Sequence, residues 1–324
     1  MRRSILIAGL ISLGFLSNLN STAAAQDSPK PQNSAAEEKD FTIKVSSRLV
    51  LLDVSVKDNA GGFVSGLRKE DFQVTEDGKP QTVSQFANSD IPVTVGILVD
   101  ESGSMRAKKS EAVTAALGFV ASSNPKDEMF VLNFNEKVHR GLTDTKLFSD
   151  NVQELRAALW RSRPEGRTAL YDAIVAGLKQ LEMGREDKKT LIVISDGGDN
   201  VSSANLKDVM NMVLQSPATI YTIGVYSDDD PEKNPDVLRK LAAISGGEFY
   251  QPPKIEEIVP VCRRIAKDIR TRYTLGYIPD TNSGKKIRHI KVHVAAPDRG
   301  KLVARTRTTY LMNEDSQSAD RTKQ

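Results

Sequence analysis

The stretch VTVGILVDESGSMR, residues 93–106, decides how this chain is read. Its first seven residues are almost all apolar and rich in β-branched side chains, with no polar alternation. A run of that length and texture fits a strand buried on both faces, the kind a parallel sheet needs. It then stops abruptly in Asp100, Glu101, Ser102, Gly103 and Ser104. Carboxylates and hydroxyls crowded at a strand end suggest a metal or an anion rather than a core.

Outward from this strand, strands alternate with amphipathic helices. KKSEAVTAALGFVASS follows as a helix, then EMFVLNFN as a strand with a hairpin partner around VHRGLTD. SDNVQELRAALWRS predicts a helix with Val152, Leu155, Leu159 and Trp160 on one face. ALYDAIVAGLKQLE predicts another, with Leu170, Ile174, Leu178 and Leu181 in register. The strand TLIVISD, the helix ANLKDVMNMVLQ, the strand TIYTIGVYS, the helix PDVLRKLAAIS and the short strand EFYQP complete the series. Such alternation implies an α/β domain, assigned to residues 91–254, with a doubly wound and mostly parallel sheet covered on both faces.

On either side the texture is β. Residues 41–90 carry Val50, Leu52, Val54 and Val56 at period two, with turns at NAGG and at Asp77-Gly78. Residues 255–312 begin with a helix in which Ile258, Val261, Cys262, Ile265 and Ile269 recur at helical spacing, then continue as RYTLGYIPD, IRHIKVHVAA and LVARTRTTYL. Each flank alone is near the size at which a core becomes marginal. Together they are expected to build one smaller β-sandwich in which the α/β domain is inserted.

Residues 1–25 carry Arg2 and Arg3, a short apolar run from Ile5 to Leu16, and Ala23-Ala24-Ala25 before QDS, the pattern of a secretory signal peptide. Residues 26–40 read as a flexible leader and residues 313–324 as a disordered tail. No cysteine stands near the cleavage site to take a lipid, and no later stretch approaches the length needed to span a membrane. The expected location is therefore periplasmic or extracellular, with no integral span in the mature chain.

The formal charge of +3 drops to +1 once Arg2 and Arg3 are removed, and nothing resembles the concentrated positive charge of a nucleic-acid binder. Cys262 is the sole cysteine, so no internal disulfide is possible, and its helical register predicts a buried thiol. His289 and His293 share one face of a strand, but four residues of strand is about 13 Å, too far to share a metal. His139 is isolated in a hairpin. Asp228, Asp229 and Asp230 follow a strand on the same rim as the first carboxylates and read as a solvated acidic loop, with a calcium site as the alternative.

Two more segments bring polar groups to the carboxyl ends of the strands, where doubly wound sheets bind ligands. EGRTALYD places Thr168 just before a helix, and VISDGGDN places Asp196 at a strand end with Asp199 beyond two glycines. Serine and threonine hydroxyls are poor ligands for zinc or copper and suit a hard cation such as magnesium or manganese. Taken alone, the first turn also fits a helix cap, with Ser104 at the helix start.

Asp-x-Ser-x-Ser after a buried strand, a distant Gly-x-Thr-x-Leu, and Ser-Asp-Gly after another strand together resemble a von Willebrand factor A domain with an intact metal-ion-dependent adhesion site. The resemblance covers residues 91–250. It implies that Ser102, Ser104 and Thr168 give oxygens to Mg2+ or Mn2+, and that Asp100 and Asp196 bind directly or through water. Glu101, Asp199 and Asp228 are candidates for supporting positions. The flanks, with RLVLLDVSVKDNAGGFVSGLRKEDFQVTEDGKPQ before the domain and YTLGY after it, resemble the secreted bacterial VWFA-related family first noted in Acidobacteria. The resemblance implies a non-enzymatic module for adhesion or scaffolding whose metal captures an Asp or Glu carboxylate of a protein partner. Glycines 103, 197 and 198 are expected to leave room for that partner. The alternatives are a structural protein of an envelope complex and a metal-dependent hydrolase. The hydrolase lacks a histidine in the site loops and has no Gly-x-Ser-x-Gly elbow.

Overall fold

A computed structural model describes residues 49–312, except residues 89, 162, 227–230 and 281–284. The expected signal peptide and leader, residues 41–48, the acidic segment 228–230 and the expected tail fall outside the described residues. The N-terminal flank forms β1 (Val50–Lys57), β2 (Phe72–Glu76), β3 (Lys79–Gln81) and β4 (Gln85–Ala87). The α/β series follows as β5 (Val93–Asp100), α1 (Lys109–Val120), β6 (Glu128–Phe134), β7 (Val138–Arg140), α2 (Val152–Leu159), α3 (Leu170–Glu182), β8 (Lys188–Ser195), α4 (Leu206–Gln215), β9 (Thr219–Gly224), α5 (Pro235–Ser245), β10 (Phe249–Tyr250) and α6 (Ile258–Thr271). The C-terminal flank adds β11 (Tyr273–Tyr277), β12 (Ile287–Val294), β13 (Val303–Arg305) and β14 (Thr309–Leu311).

The central sheet has six strands in the order β10-β9-β8-β5-β6-β7, all parallel except β7. All eight residues of β5 are buried, as its unbroken apolar run requires of a central strand. From β5 the chain runs outward to β6 and β7, then crosses back to β8 on the other side of β5. The order therefore reverses between β5 and β8, the position where open α/β sheets bind ligands. Helices α1, α2 and α6 pack together, as do α3, α4 and α5, giving the two covering layers.

The flank strands interleave as expected from their size. One four-stranded sheet has the order β13-β1-β11-β4, in which strands of the two flanks alternate, and the other β14-β12-β2-β3, in which a pair from each flank meets at β12 and β2. Leu52, Val54 and Val56 of β1 join Phe72 and Val74 of β2 and Tyr273, Leu275 and Ile290 from the far flank in one core. Each such side chain contributes about 1.5–3 kcal/mol when fully buried, and none of them has enough partners within its own flank. The α/β domain is thus inserted into a β-sandwich.

Two expectations need correction. Helix α6, placed with the C-terminal flank, packs against α1: Cys262, Ile265 and Ile269 belong to the α/β core, and Gly118 of α1 faces Val259 and Cys262. Val152 and Trp160 are about half exposed, whereas Leu155, Ala158 and Leu159 are buried. Only the middle of α2 covers β6; its first residue and its C-cap overhang the sheet. Sequence patterning also missed buried charge in the sandwich. Arg288 and Glu76 are each 2 % exposed and pair at 3.1 Å, and Glu76 also accepts the hydroxyls of Tyr277 and Tyr310.

Candidate functional site

The register of the central strands sets the site. Val99 lies opposite Ile194, so Asp100 and Ser195 end their strands side by side. Ser195 donates to Asp100 Oδ2 at 2.6 Å, while the Ser102 amide donates to Asp100 Oδ1 at 2.9 Å. The Ser102 and Ser104 hydroxyls are 3.1 Å apart, and Ser104 donates to Asp196 Oδ2 at 2.6 Å. Asp100, Ser102, Ser104 and Asp196, read from two segments 92 residues apart, thus form one bonded cluster.

The loop that carries Thr168 is tied to the first site loop by backbone bonds. The Gly103 amide donates to the Gly166 carbonyl and the Glu165 amide to the Glu101 carbonyl, which clamps the first and second site loops together. Asn200 accepts from the Thr168 amide at 2.9 Å and returns its own amide to the Thr168 carbonyl. Asp172 in α3 accepts from the amides of Ser203 and Ala204. Ser195, Asn200 and Asp172 are the residues that sequence reasoning left out. Each has an ordinary reading in sequence and gains its role only from the fold.

The supporting candidates divide. Glu101 is buried, and its carboxylate pairs with Lys109 at 2.7 Å, so it anchors the start of α1. Asp199 is half-buried and bonds Ser202, and burial raises its carboxyl above the ordinary range. The glycines are a correction. A Cβ on Gly197, whose φ is +84°, would lie 2.3 Å from the Asn234 carbonyl, and one on Gly198 would lie 2.9 Å from that of Glu232. A Cβ on Gly103 would meet the Gly166 carbonyl at 3.2 Å. These positions are filled by neighbouring backbone, so the glycines permit loop packing and do not open an approach.

Asp100, Ser102, Thr168 and Asp196 are each at most 1 % exposed. Burial first, and then the neighbouring Asp196 carboxylate, push the Asp100 carboxyl up to about 7. Two carboxylates are held together away from water, a costly arrangement without opposite charge. Among the described residues no three His, Cys, Asp or Glu side chains gather as a metal site. The oxygens gathered here are instead the Asp100 and Asp196 carboxylates with the Ser102 and Ser104 hydroxyls, and Thr168 lies in the adjoining loop; oxygens of this kind could hold a hard cation.

Comparison with known proteins turns on the same segments. Residues 94–261, just over half of the 324, match the family model of the von Willebrand factor type A domain. The chain belongs to the von Willebrand factor type A family. An uncharacterized protein of Synechocystis sp. is 26 % identical over 162 residues, which are 49 % of this chain and 37 % of that protein. This VWA chain therefore matches little more than a third of that relative's length. Among solved structures, a von Willebrand factor type A protein from Catenulispora acidiphila is 14 % identical, with 85 % of this chain and 76 % of that chain covered and a TM-score of 0.49. The vWF domain of the type V pili tip protein Mfa5 from Porphyromonas gingivalis is also 14 % identical, covering 56 % of this chain and 95 % of its own, with a TM-score of 0.47. Among the described residues of the VWA chain, no helix is long and apolar enough to cross a membrane.

Proposed function

We propose that this VWA protein is a secreted or periplasmic, non-enzymatic binding module, related to the secreted bacterial VWFA-related proteins, that captures an acidic side chain of a protein partner at a bound Mg2+ or Mn2+. The observation that carries the reading is the hydrogen-bonded chain from Ser102 through Ser104 to Asp196 beside the buried Asp100. A hydroxyl that gives its proton to a carboxylate keeps lone pairs for a cation. Ser102, Ser104 and Thr168 would supply those neutral oxygens, and Asp100 and Asp196 would supply charge directly or through water. When bound, the cation supplies a Lewis-acidic position for an external carboxylate.

The residues of the chain set the rest. A cation held largely by neutral hydroxyls keeps much of its charge, so an external acid is attracted to it. Both carboxylates at the seat are already engaged, Asp100 by Ser195 and the Ser102 amide, Asp196 by Ser104 and the Gly198 amide. Both would be committed to the cation, and the site loops carry no histidine to act as a general base, which favours binding over hydrolysis. The test is affinity capture from an envelope extract, in Mg2+ and in EDTA, with the wild type and the Asp100→Ala variant. The reading expects partners retained only by the wild type in Mg2+. A partner held equally in EDTA and by Asp100→Ala would make any metal structural and move the binding face elsewhere.

A further inference from the structure

Charged groups stand on both sides of the seat: Glu136 at the β6–β7 turn accepts the Arg167 amide, and the Arg167 guanidinium donates to the Asn200 carbonyl. On the β8–β9 side stand Asp199 and Glu232, the latter bonded by Asn200. On the β6–β7 side a cleft of about 550 Å³ opens beyond the ends of the strands. Arg140 from β7 and Arg161 and Arg163 from the loop before Thr168 line it, opposed by Asp144 and Glu165. Arg161 donates to the Leu142 carbonyl. Arg140 and Arg163 are exposed and have no ion-pair or hydrogen-bond partner for their guanidinium groups among the described residues. The cleft adjoins the candidate site: Glu165, in its lining, is the residue whose amide bonds Glu101, and Asn135, also in its lining, accepts from the Ala169 amide beside Thr168.

Unpaired guanidinium groups offer planar, two-pronged recognition of carboxylates, and arginine is the cation most often found at energetic centres of interfaces. We infer that this cleft is a second acid-recognition site, and that the partner presents an acidic protein segment: one carboxylate on the cation and a following one between Arg140 and Arg163. The inference deepens the metal-seat reading and rests on it for the first carboxylate. It also gives the segment a direction, running from the β5–β8 crevice toward β7 and away from Asp199 and Glu232.

The test is fluorescence anisotropy with a labelled hexaglutamate peptide, with hexalysine as control, at low ionic strength in Mg2+ and in EDTA. Arg140→Ala/Arg163→Ala is compared with the wild type, and calorimetric Mg2+ titration checks that the seat itself is unchanged. Both arginines are exposed, so the variant should keep its fold. The expected result is hexaglutamate binding in Mg2+, weakened at least tenfold in the double variant at equal Mg2+ affinity, and no hexalysine binding. Binding that survives EDTA but is lost in the double variant would uphold the cleft while refuting the metal seat. A wild type that ignores hexaglutamate, or a double variant that binds it as well as the wild type does, would overturn the inference.

Discussion

Gly197 shows at the scale of one residue how the site is built. Its φ of +84° is in the left-handed region, and the Asn234 carbonyl occupies the place of a Cβ. The same turn carries Asp196, whose carbonyl accepts the Asn234 amide at 2.8 Å. Gly197→Ala should therefore cost about 1–3 kcal/mol in backbone strain, more if Asn234 cannot yield. Thermal unfolding of the variant is the check, and an unchanged midpoint would mean that the turn relaxes freely. Cys262 makes the complementary point. Burial pushes its thiol up to about 12, and it donates to the Ala115 carbonyl, so the buried, unreactive cysteine read from helical spacing is what the fold contains. The strand-end carboxylates and hydroxyls were equally legible, because Asp100, Ser102 and Ser104 lie within five residues. Ser195 was not, because its bond to Asp100 spans 95 residues.

Helix α6 is the element that ties the two cores together. Its inner face packs on α1, while Asp268 near its end is fully buried and accepts from Tyr221 at 2.7 Å and from Arg305 of β13 at 2.6 Å. Arg272, just past the helix, donates to the Asp53 and Gly246 carbonyls and completes the junction. None of this was legible: a charged residue in an amphipathic helix reads as solvated, and its partners come from strands that the chain has not yet made or has long left behind. Arg288 and Glu76, 212 residues apart, escaped for the same reason. Burial opposes the charge on Asp268, but Arg272 and then Arg305 outweigh it and hold the carboxyl below the ordinary range. Because the folded value lies below the unfolded one, Asp268 stabilises the fold above about pH 4 and that contribution fades as the pH falls through the folded value. Asp268→Asn should cost about 3–5 kcal/mol, the usual effect of breaking a buried pair, and should flatten the acid limb of a stability–pH profile from chemical denaturation. A variant as stable as the wild type, with the same acid limb, would refute this role for α6.

At the scale of the whole molecule, the sandwich joins the two described flanks, and the candidate site lies at the sheet reversal between β5 and β8. Among the described residues of the N-terminal flank, only β2 and β3 pair with each other: β1 pairs with β11 and β13, β4 with β11, and β2 with β12 on its other side. The fragment 41–90 expressed alone should be disordered, and a well-dispersed NMR spectrum from it would contradict the interleaved sandwich. The α/β piece needs α6, so residues 91–271 should fold where 91–254 would expose the α1 face that Cys262 and Ile265 cover. The doubly wound sheet and the flanking sandwich could be read from periodicity, whereas the place of α6 could not, since an apolar stripe does not say which core it faces. The central claim is that the edge of this sheet seats a hard cation through Ser102, Ser104 and Thr168. Calorimetric titration of Mg2+ and Mn2+ into the wild type and the Ser102→Ala/Ser104→Ala/Thr168→Ala variant tests it most directly. The account predicts one site in the wild type and, in a variant that remains folded, a loss of at least a hundredfold, about 2.7 kcal/mol; equal binding by the two proteins would contradict it.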